Sequence, residues 1–150
     1  MPEREADTPA ELRARALRLL ARREHSRSEL RRKLAPRAGS EGALDELLDA
    51  LAQKNQLSEK RFAEERIRQL SRKYGPARIR QDLKAKGVAA DLVEGVSSEG
   101  ELERARAILE RKYREPASTR EERAKRMRFL QSRGFSTDII YSLLSARTVD

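Results

Sequence analysis

One seven-residue stretch decides the fold because it occurs twice, at the same place in two neighbouring helical segments. The copies keep their glycine, their aspartate and their apolar pair: Gly87-Val88-Ala89-Ala90-Asp91-Leu92-Val93 and Gly134-Phe135-Ser136-Thr137-Asp138-Ile139-Ile140. Leu83 and Leu130 precede the two copies at the same distance. A repeat period of nearly 50 residues is typical of tandem repeats, in which each unit is one supersecondary element.

Apolar residues recur at helical spacing on both sides of these copies. The chain therefore divides into three repeats of three amphipathic segments. The apolar residues of the first repeat are Leu12, Ala16, Leu17 and Leu20, then Leu30 and Leu34, then Leu44, Leu47, Leu48 and Leu51; those of the second are Ala63, Ile67, Leu70 and Tyr74, then Ile79 and Leu83, then Leu92, Val93 and Val96. Those of the third are Leu102, Ala105, Leu109 and Tyr113, then Met127 and Leu130, then Ile139, Ile140, Leu143 and Leu144.

Helix boundary signals agree with this division. Ser26 has the N-cap position of a capping box with Glu29, and Ser58 can cap the helix that follows it. Pro76 suits the first position of a helix, and Gly87 and Gly134 are typical of helix ends.

We therefore predict an all-α fold of three tandem three-helix repeats. Three short helices with few aromatic residues bury too little apolar surface to be secure alone, so neighbouring repeats should stack into an elongated, curved rod. The predicted parts are a flexible N-terminus over residues 1–9 and repeats over residues 10–56, 57–98 and 99–150.

Composition excludes several classes of protein. The 150 residues contain no cysteine, so disulfide frameworks, zinc knuckles and thiol nucleophiles are excluded. No apolar run is long enough for a membrane span, and Met1–Asp7 lacks the apolar stretch of a signal peptide. We expect a cytoplasmic protein, monomeric and without membrane contact.

The charge is unevenly distributed. The chain has 34 Lys and Arg against 25 Asp and Glu, a net charge of +9. The segments 22–37, 71–87 and 120–133, which contain the second helices, together carry a formal +14, which leaves about −5 for the remainder. The third helices of the first two repeats are acidic. If the second helices align, the protein has a basic stripe and a separate acidic edge; the alternative is that these are solvated helix faces with i, i+4 ion pairs.

The sequence offers little for catalysis. The single histidine, His25, lies between two helices, and neither a nucleophile nor a glycine-rich phosphate loop accompanies it. We interpret His25 as a packing or capping residue. The protein is predicted not to be an enzyme, with no catalytic residue, metal site or cofactor.

Two binding functions remain open at this point. One is a helical nucleic-acid binder, although the acidic third helices would be repelled from a DNA groove. The other is a rod whose basic side docks on an acidic or filamentous protein and can also touch nucleic acid. With 4% aromatic residues, contact with phosphate or carboxylate is favoured over the stacking of bases.

Three segments, in this order, resemble the signatures of the RecX family, bacterial regulators of the RecA recombinase. They are ALRLLARREHSRSELRRKL at residues 16–34, YGPARIRQDLKAKG at residues 74–87 and RFLQSRGF at residues 128–135. The resemblance runs from about Ala10 to Leu144. Arg61-Phe62-Ala63 also fits the family, whereas Asn55-Gln56 departs from the Gly-aromatic pair often found before Leu57.

The resemblance implies three tandem three-helix repeats and a regulatory function. Proteins of this family bind along the groove of the RecA filament on single-stranded DNA. They inhibit its ATPase, strand-exchange and coprotease activities, and so modulate recombination and the SOS response. The alternative is an autonomous helical DNA-binding regulator that acts without RecA. In either case we expect the contacts with RecA or DNA phosphates to come from eight basic residues: Arg31, Arg32, Arg78, Arg80, Lys84, Arg126, Arg128 and Arg133.

Overall fold

Helices account for all the regular secondary structure in the part of the chain that the structure describes. The computed structural model describes residues 5–145, and this range contains nine α-helices and one short 3-10 helix, Ala35–Arg37. The α-helices are α1 (Pro9–Arg22), α2 (Arg27–Leu34), α3 (Glu41–Gln53), α4 (Glu59–Leu70), α5 (Pro76–Ala85), α6 (Ala90–Glu94), α7 (Glu101–Lys112), α8 (Arg120–Ser132) and α9 (Thr137–Ser145). The predicted all-α fold is confirmed.

Short polar side chains begin the helices where the sequence predicts them. The Ser26 hydroxyl accepts a hydrogen bond from the Glu29 amide (3.0 Å), and the Ser58 hydroxyl accepts one from the Arg61 amide (3.1 Å). Pro76 is the first residue of α5. The predicted capping box at Ser26 is only half formed, because the Glu29 carboxylate pairs with Arg23. These bonds satisfy amides that a helix leaves unpaired in its first turn.

The end of α3 shows how this chain accommodates its departure from the RecX pattern. Asn55 has a φ of 59°, and the Gln56 amide donates to the Leu51 carbonyl oxygen (2.9 Å). Asparagine tolerates this left-handed conformation better than most residues with a side chain. Asn55 therefore closes the helix in the way that glycine usually does.

The helices assemble into two compact units. Unit 1 contains residues up to Glu65 together with Leu83–Leu92, and unit 2 contains Arg66–Asp82 together with residues from Val93 onward. The division falls inside α4 and α5, so both helices contribute residues to each unit. The second repeat is therefore shared between the two units.

Each unit has its own apolar core, which contains residues of the predicted stripes together with Leu57, Ile108 and Phe135. In unit 1 one cluster of buried residues consists of Leu12, Ala16, Leu30, Leu34, Leu44, Leu48, Leu51 and Leu57. In unit 2 one cluster of buried residues consists of Ala105, Ile108, Leu130, Phe135, Ile140 and Leu144. Leucine dominates the first core, whereas the second draws on a wider range of side chains.

Buried or half-buried carboxylates support helix starts in both units. The Glu59 carboxylate accepts a hydrogen bond from the Arg27 amide at the start of α2. Glu101, only 6% exposed, accepts from the amide (2.9 Å) and the hydroxyl (3.3 Å) of Ser136, directly before α9. Negative charge at a helix N-terminus is stabilising, because it meets unpaired amides and the positive end of the helix dipole.

The segment before α1 is tied to unit 1 at Asp7. Its amide donates to the Arg37 carbonyl oxygen (2.8 Å), and its carboxylate pairs with Arg15 (2.9 Å). Thr8 then caps α1 through a complete capping box with Glu11. Among residues 5–145 no helix combines the length and the apolar composition needed to cross a membrane.

Candidate phosphate-binding and partner-binding surface

A direct contact between two backbones organises the basic side of unit 2. The Gly75 amide donates to the Arg133 carbonyl oxygen (2.7 Å), and the Ala77 amide donates to the Gly134 carbonyl oxygen (3.2 Å). A Cβ atom on Gly75 would lie 2.5 Å from the Gly134 oxygen, and one on Gly134, whose φ is +89°, would lie 2.5 Å from the Arg78 nitrogen. Only glycine at both positions allows this approach.

The contact brings two arginines onto one ring. Tyr74 precedes Gly75, and the guanidinium carbons of Arg78 and Arg133 lie 4.8 and 5.4 Å from the centre of its ring. Arg78 also donates to the Ser132 carbonyl oxygen (3.1 Å). Cations at such distances are attracted by the ring quadrupole, so stacking and hydrogen bonding together restrict the orientation of Arg78.

A second pair of rings lies nearby. Tyr113 and Phe129 meet edge to face, with centres 6.0 Å apart. Arg126 stacks on Tyr113 at 4.4 Å, Lys112 lies 4.7 Å from the centre of Phe129, and Arg133 lies 5.1 Å from it. Arg133 therefore joins the two groups of rings. Unit 2 uses aromatic faces, rather than carboxylates, to hold these cations.

The cations surround an open cavity of about 490 Å³. We call it the Arg-Lys-Tyr pocket, and it is lined by Arg72, Lys73, Tyr74, Ile108, Arg111, Lys112, Phe129 and Arg133. No carboxylate lines it, and within residues 5–145 none of its five cations forms an ion pair. Five like charges around one cavity produce a positive potential that attracts anions.

Backbone carbonyls orient two of the lining guanidinium groups. Arg111 donates to the Arg72 carbonyl oxygen (2.8 Å), and Arg133 donates to the Lys73 carbonyl oxygen (3.4 Å). An arginine has five N–H donors in a planar fork, so one such bond leaves others for a ligand. Arg111 and Arg133 are thus positioned before any ligand arrives.

The structure brings together three of the eight predicted contact residues. Arg78, Arg126 and Arg133 converge on the aromatic cluster of unit 2. Arg80, on the same helix as Arg78, instead donates to the Val96 carbonyl oxygen (3.0 Å). Arg128 is exposed on α8, and within residues 5–145 its guanidinium group does not lie over any of these rings.

The other three predicted residues belong to unit 1. Arg31 forms an ion pair with Asp45, whereas Arg32 and Lys84 are exposed and have no ion pair within residues 5–145. Arg27 pairs likewise with Asp49. The prediction of a basic stripe separate from an acidic edge is therefore wrong for the first repeat, because the acidic α3 packs against the basic α2 and neutralises part of it.

Four pocket residues are missing from the predicted set. They are Arg72, Lys73, Arg111 and Lys112, and the sequence does carry a signal for them. The tripeptide Arg-Lys-Tyr occurs at residues 72–74 and again at residues 111–113, each time where the first helix of a repeat ends. The charge count assigned the excess positive charge to the second helices. Arg111 and Lys112 lie outside those helices, so the count did not reveal that the tripeptide is repeated.

His25 has a structural role in unit 1. It is 1% exposed, its Nδ1 lies 3.0 Å from the Arg23 carbonyl oxygen, and its Nε2 lies 3.0 Å from the Lys33 ammonium nitrogen. Nδ1–H therefore donates, and Nε2 accepts. Burial lowers the pKa of His25 and favours this neutral form. The interpretation of His25 as a packing or capping residue is confirmed.

Neighbouring carboxylates in unit 1 are ion-paired. Hydrogen bonding to the Arg23 guanidinium lowers the pKa of Glu29 to about 2. Arg61 pairs with Glu24 (2.8 Å). Within residues 5–145, no three His, Asp or Glu side chains converge in a way that could hold a metal ion.

Comparison with known families accounts for almost all of the described chain. Models of the first, second and third three-helix domains of RecX match residues 13–51, 58–96 and 99–144. The chain belongs to the RecX family. The three tandem three-helix repeats predicted from the sequence are thereby confirmed.

Individual RecX relatives are similar over nearly their full length. The regulatory protein RecX of Ralstonia nicotianae is 43% identical over 139 residues, which are 91% of this chain and 87% of the relative. That of Pseudomonas putida is 44% identical over 150 residues, 96% of each protein. The crystal structure of RecX from Lactobacillus salivarius superposes with a TM-score of 0.81 at 22% identity, over 95% of this chain and 97% of that one. The curated relatives are named as regulatory proteins, which supports a regulatory role for this RecX-family chain.

Proposed function

We propose that this protein binds the RecA filament on single-stranded DNA and inhibits its ATPase, strand-exchange and coprotease activities. In this way it would modulate recombination and the SOS response, acting in the cytoplasm as a monomer and without catalysis of its own. RecX membership, together with the carboxylate-free cation cluster of unit 2, carries the proposal.

The physical basis is electrostatic complementarity. A filament of protein and single-stranded DNA presents carboxylates and phosphates, and both are recognised by arginine through paired N–H donors. We assign the first contacts to Arg78, Arg126 and Arg133, because stacking on rings limits the side-chain entropy lost when a partner binds. The other predicted residues stay proposed contacts within their own units: Arg80 and Arg128 in unit 2, and Arg31, Arg32 and Lys84 in unit 1.

Measurement of RecA's DNA-dependent ATP hydrolysis tests the proposal. Added in substoichiometric amounts, the protein should inhibit hydrolysis, because a filament modulator need not cover the DNA. An autonomous DNA-binding regulator would have to coat the DNA and would inhibit only near saturation. Absence of inhibition at every ratio would reject the RecA function.

Replacement of Arg78 and Arg133 by glutamine tests the site. Because two guanidinium groups can no longer bind phosphate or carboxylate, we expect inhibition to require at least about tenfold more protein. The matched control replaces Lys54 and Lys60, exposed residues of unit 1 that have no ion pair within residues 5–145, with the same loss of charge. Helical circular dichroism should be native for both variants. Equal inhibition by the two variants would contradict the site assignment.

A further inference from the structure

The Arg-Lys-Tyr pocket concentrates positive charge without compensation inside unit 2. Its cations come from three places: the turn after α4 (Arg72 and Lys73), the end of α7 (Arg111 and Lys112), and the residue after α8 (Arg133). Like charges at this density repel one another and destabilise the unliganded fold. An anion placed between the three groups would relieve the repulsion.

We propose that this pocket binds adjacent phosphate groups of a nucleotide ligand, either consecutive phosphodiesters of a single strand or the polyphosphate of a free nucleotide. The proposal deepens the proposed function, since the RecA filament offers single-stranded DNA and hydrolyses ATP. Direct binding to the pocket can nevertheless be measured without RecA.

Geometry favours more than one phosphate. The two Arg-Lys pairs belong to different elements, and both line the same cavity. The bonds that join Arg111 to the Arg72 carbonyl and Arg133 to the Lys73 carbonyl hold these elements together. At about 490 Å³ the cavity lies within the range of about 300–1,000 Å³ that is usual for small-molecule sites. Cations that come from separate elements of the fold can each bind a different phosphate of a ligand with several phosphates in a row.

The aromatic lining favours nucleotides over acidic peptides. Tyr74 and Phe129 contribute to the wall of the pocket, and Arg133 lies over both rings. A base can stack on a ring or on a ring-bound guanidinium group beside its own phosphate. A chain of carboxylates has no planar group that would use this surface.

Binding of a fluorescent oligothymidylate of roughly ten nucleotides tests the proposal directly. In the test variant, glutamine replaces Lys73 and Lys112, exposed residues whose side chains donate no hydrogen bond within residues 5–145. The control variant again carries glutamine at Lys54 and Lys60. We expect the pocket variant to bind the oligonucleotide about tenfold more weakly. The slope of its log affinity against log salt concentration should become shallower by about 0.7 for each phosphate that it no longer neutralises. The control should bind like the unmodified protein.

Competition identifies the source of the phosphate. If ATP or pyrophosphate displaces the oligonucleotide, the pocket accepts free polyphosphate; if only an unlabelled oligonucleotide does so, the pocket is a strand site. Both results support the proposal. Equal weakening in the pocket and control variants would show general attraction and overturn it. Equally effective displacement by a glutamate-rich peptide would also overturn it. Neither the binding assay nor the competition assay contains RecA. A negative result in them would therefore reject the phosphate site, whereas the inhibition of RecA is tested separately by ATP hydrolysis.

Discussion

Units 1 and 2 both carry many arginines but hold them in different ways. In unit 1, Arg23, Arg27, Arg31 and Arg61 pair with carboxylates. In unit 2, Arg78, Arg126 and Arg133 lie over aromatic rings. Arg66 shows that unit 2 can also form an ion pair, with Asp82 at 2.8 Å. A ring orients a cation without neutralising it, so charge in unit 2 stays available to an external anion.

In each unit a hydrogen bond joins the start of one helix to the carbonyl oxygen just before a repeat glycine, Gly87 or Gly134. In unit 1 the Ser26 hydroxyl at the start of α2 donates to the Lys86 carbonyl oxygen (3.2 Å), just before Gly87. In unit 2 the Gly75 amide at the start of α5 donates to the Arg133 carbonyl oxygen, just before Gly134. His25 precedes Ser26 in unit 1, and Tyr74 precedes Gly75 in unit 2. A buried imidazole in one unit thus corresponds to a cation-binding ring in the other.

Replacement of Gly87 or Gly134 by alanine should change the unfolding free energy more than any other substitution in this comparison of the two units. Gly87 (φ +77°) and Gly134 (φ +89°) are both left-handed, so either substitution should cost about 1–2 kcal/mol of unfolding free energy. At Gly134 the new Cβ also meets the backbone of Arg78, which adds about 1–3 kcal/mol of overpacking. At Gly87 it meets the Ser28 hydroxyl oxygen (2.5 Å), which can rotate away, and the Ser28 Cβ (3.0 Å), which needs only a small shift.

Chemical denaturation of the two glycine variants provides the measurement. Gly134→Ala should be the less stable, and it should also lose the alignment of Arg78 and Arg133 on Tyr74. Equal stability of the two variants would show that the backbone contact in unit 2 is no tighter than its counterpart.

Acid should weaken unit 1 through Glu29. Its pKa is about 2 in the folded protein against 4.5 ordinarily, so the folded state binds fewer protons between these values. The resulting stability is complete above pH 4.5 and is lost as the pH falls towards 2. Because Arg23 is 44% exposed and solvent screens the pair, we expect a contribution of about 1 kcal/mol at most.

The Glu29→Gln variant isolates this contribution. Its unfolding free energy should change less between pH 4.5 and pH 2 than that of the unmodified protein. The Lys112→Gln variant is the matched comparison in unit 2; since Lys112 faces rings, it should leave the acid dependence unchanged. An unaltered acid dependence in Glu29→Gln would contradict the assignment.

Removal of a single surface carboxylate should have the smallest effect. Asp45→Asn removes the partner of Arg31, and both side chains are well exposed, so the cost should be about 0–1 kcal/mol. Oligonucleotide binding should instead become slightly tighter, because Arg31 is no longer neutralised. Thermal unfolding and binding titration measure the two quantities. A large loss of stability would mean that ion pairs are as important in unit 1 as its leucine core.

Local patterns were sufficient to predict much of the fold. The helix starts at Ser26, Ser58 and Pro76 depend on bonds within one turn. Apolar spacing likewise identified core residues such as Leu48 and Leu130, because a helix presents every third or fourth residue to the same side.

The site was harder to predict because its residues come from distant parts of the chain. Charge alone predicts Arg78, Arg126 and Arg133 as contacts, whereas Arg111 and Lys112 were missed because they lie in a first helix and the positive charge was assigned to the second helices. Pairing within the first repeat was also missed, because Arg27 and Asp49 belong to different helices. Charge counted along the chain does not reveal which opposite charges meet.

The sequence by itself determined the three-helix repeat, its caps and its apolar faces, because these follow from interactions between residues a few positions apart. Only the tertiary structure decided which cations remain unpaired. Arg31 meets Asp45 through helix packing in unit 1, whereas the approach of Gly75 to Gly134 places Arg133 over Tyr74 in unit 2. The physical reason is that a charge is neutralised by what lies within a few ångströms, however far away along the chain that partner is.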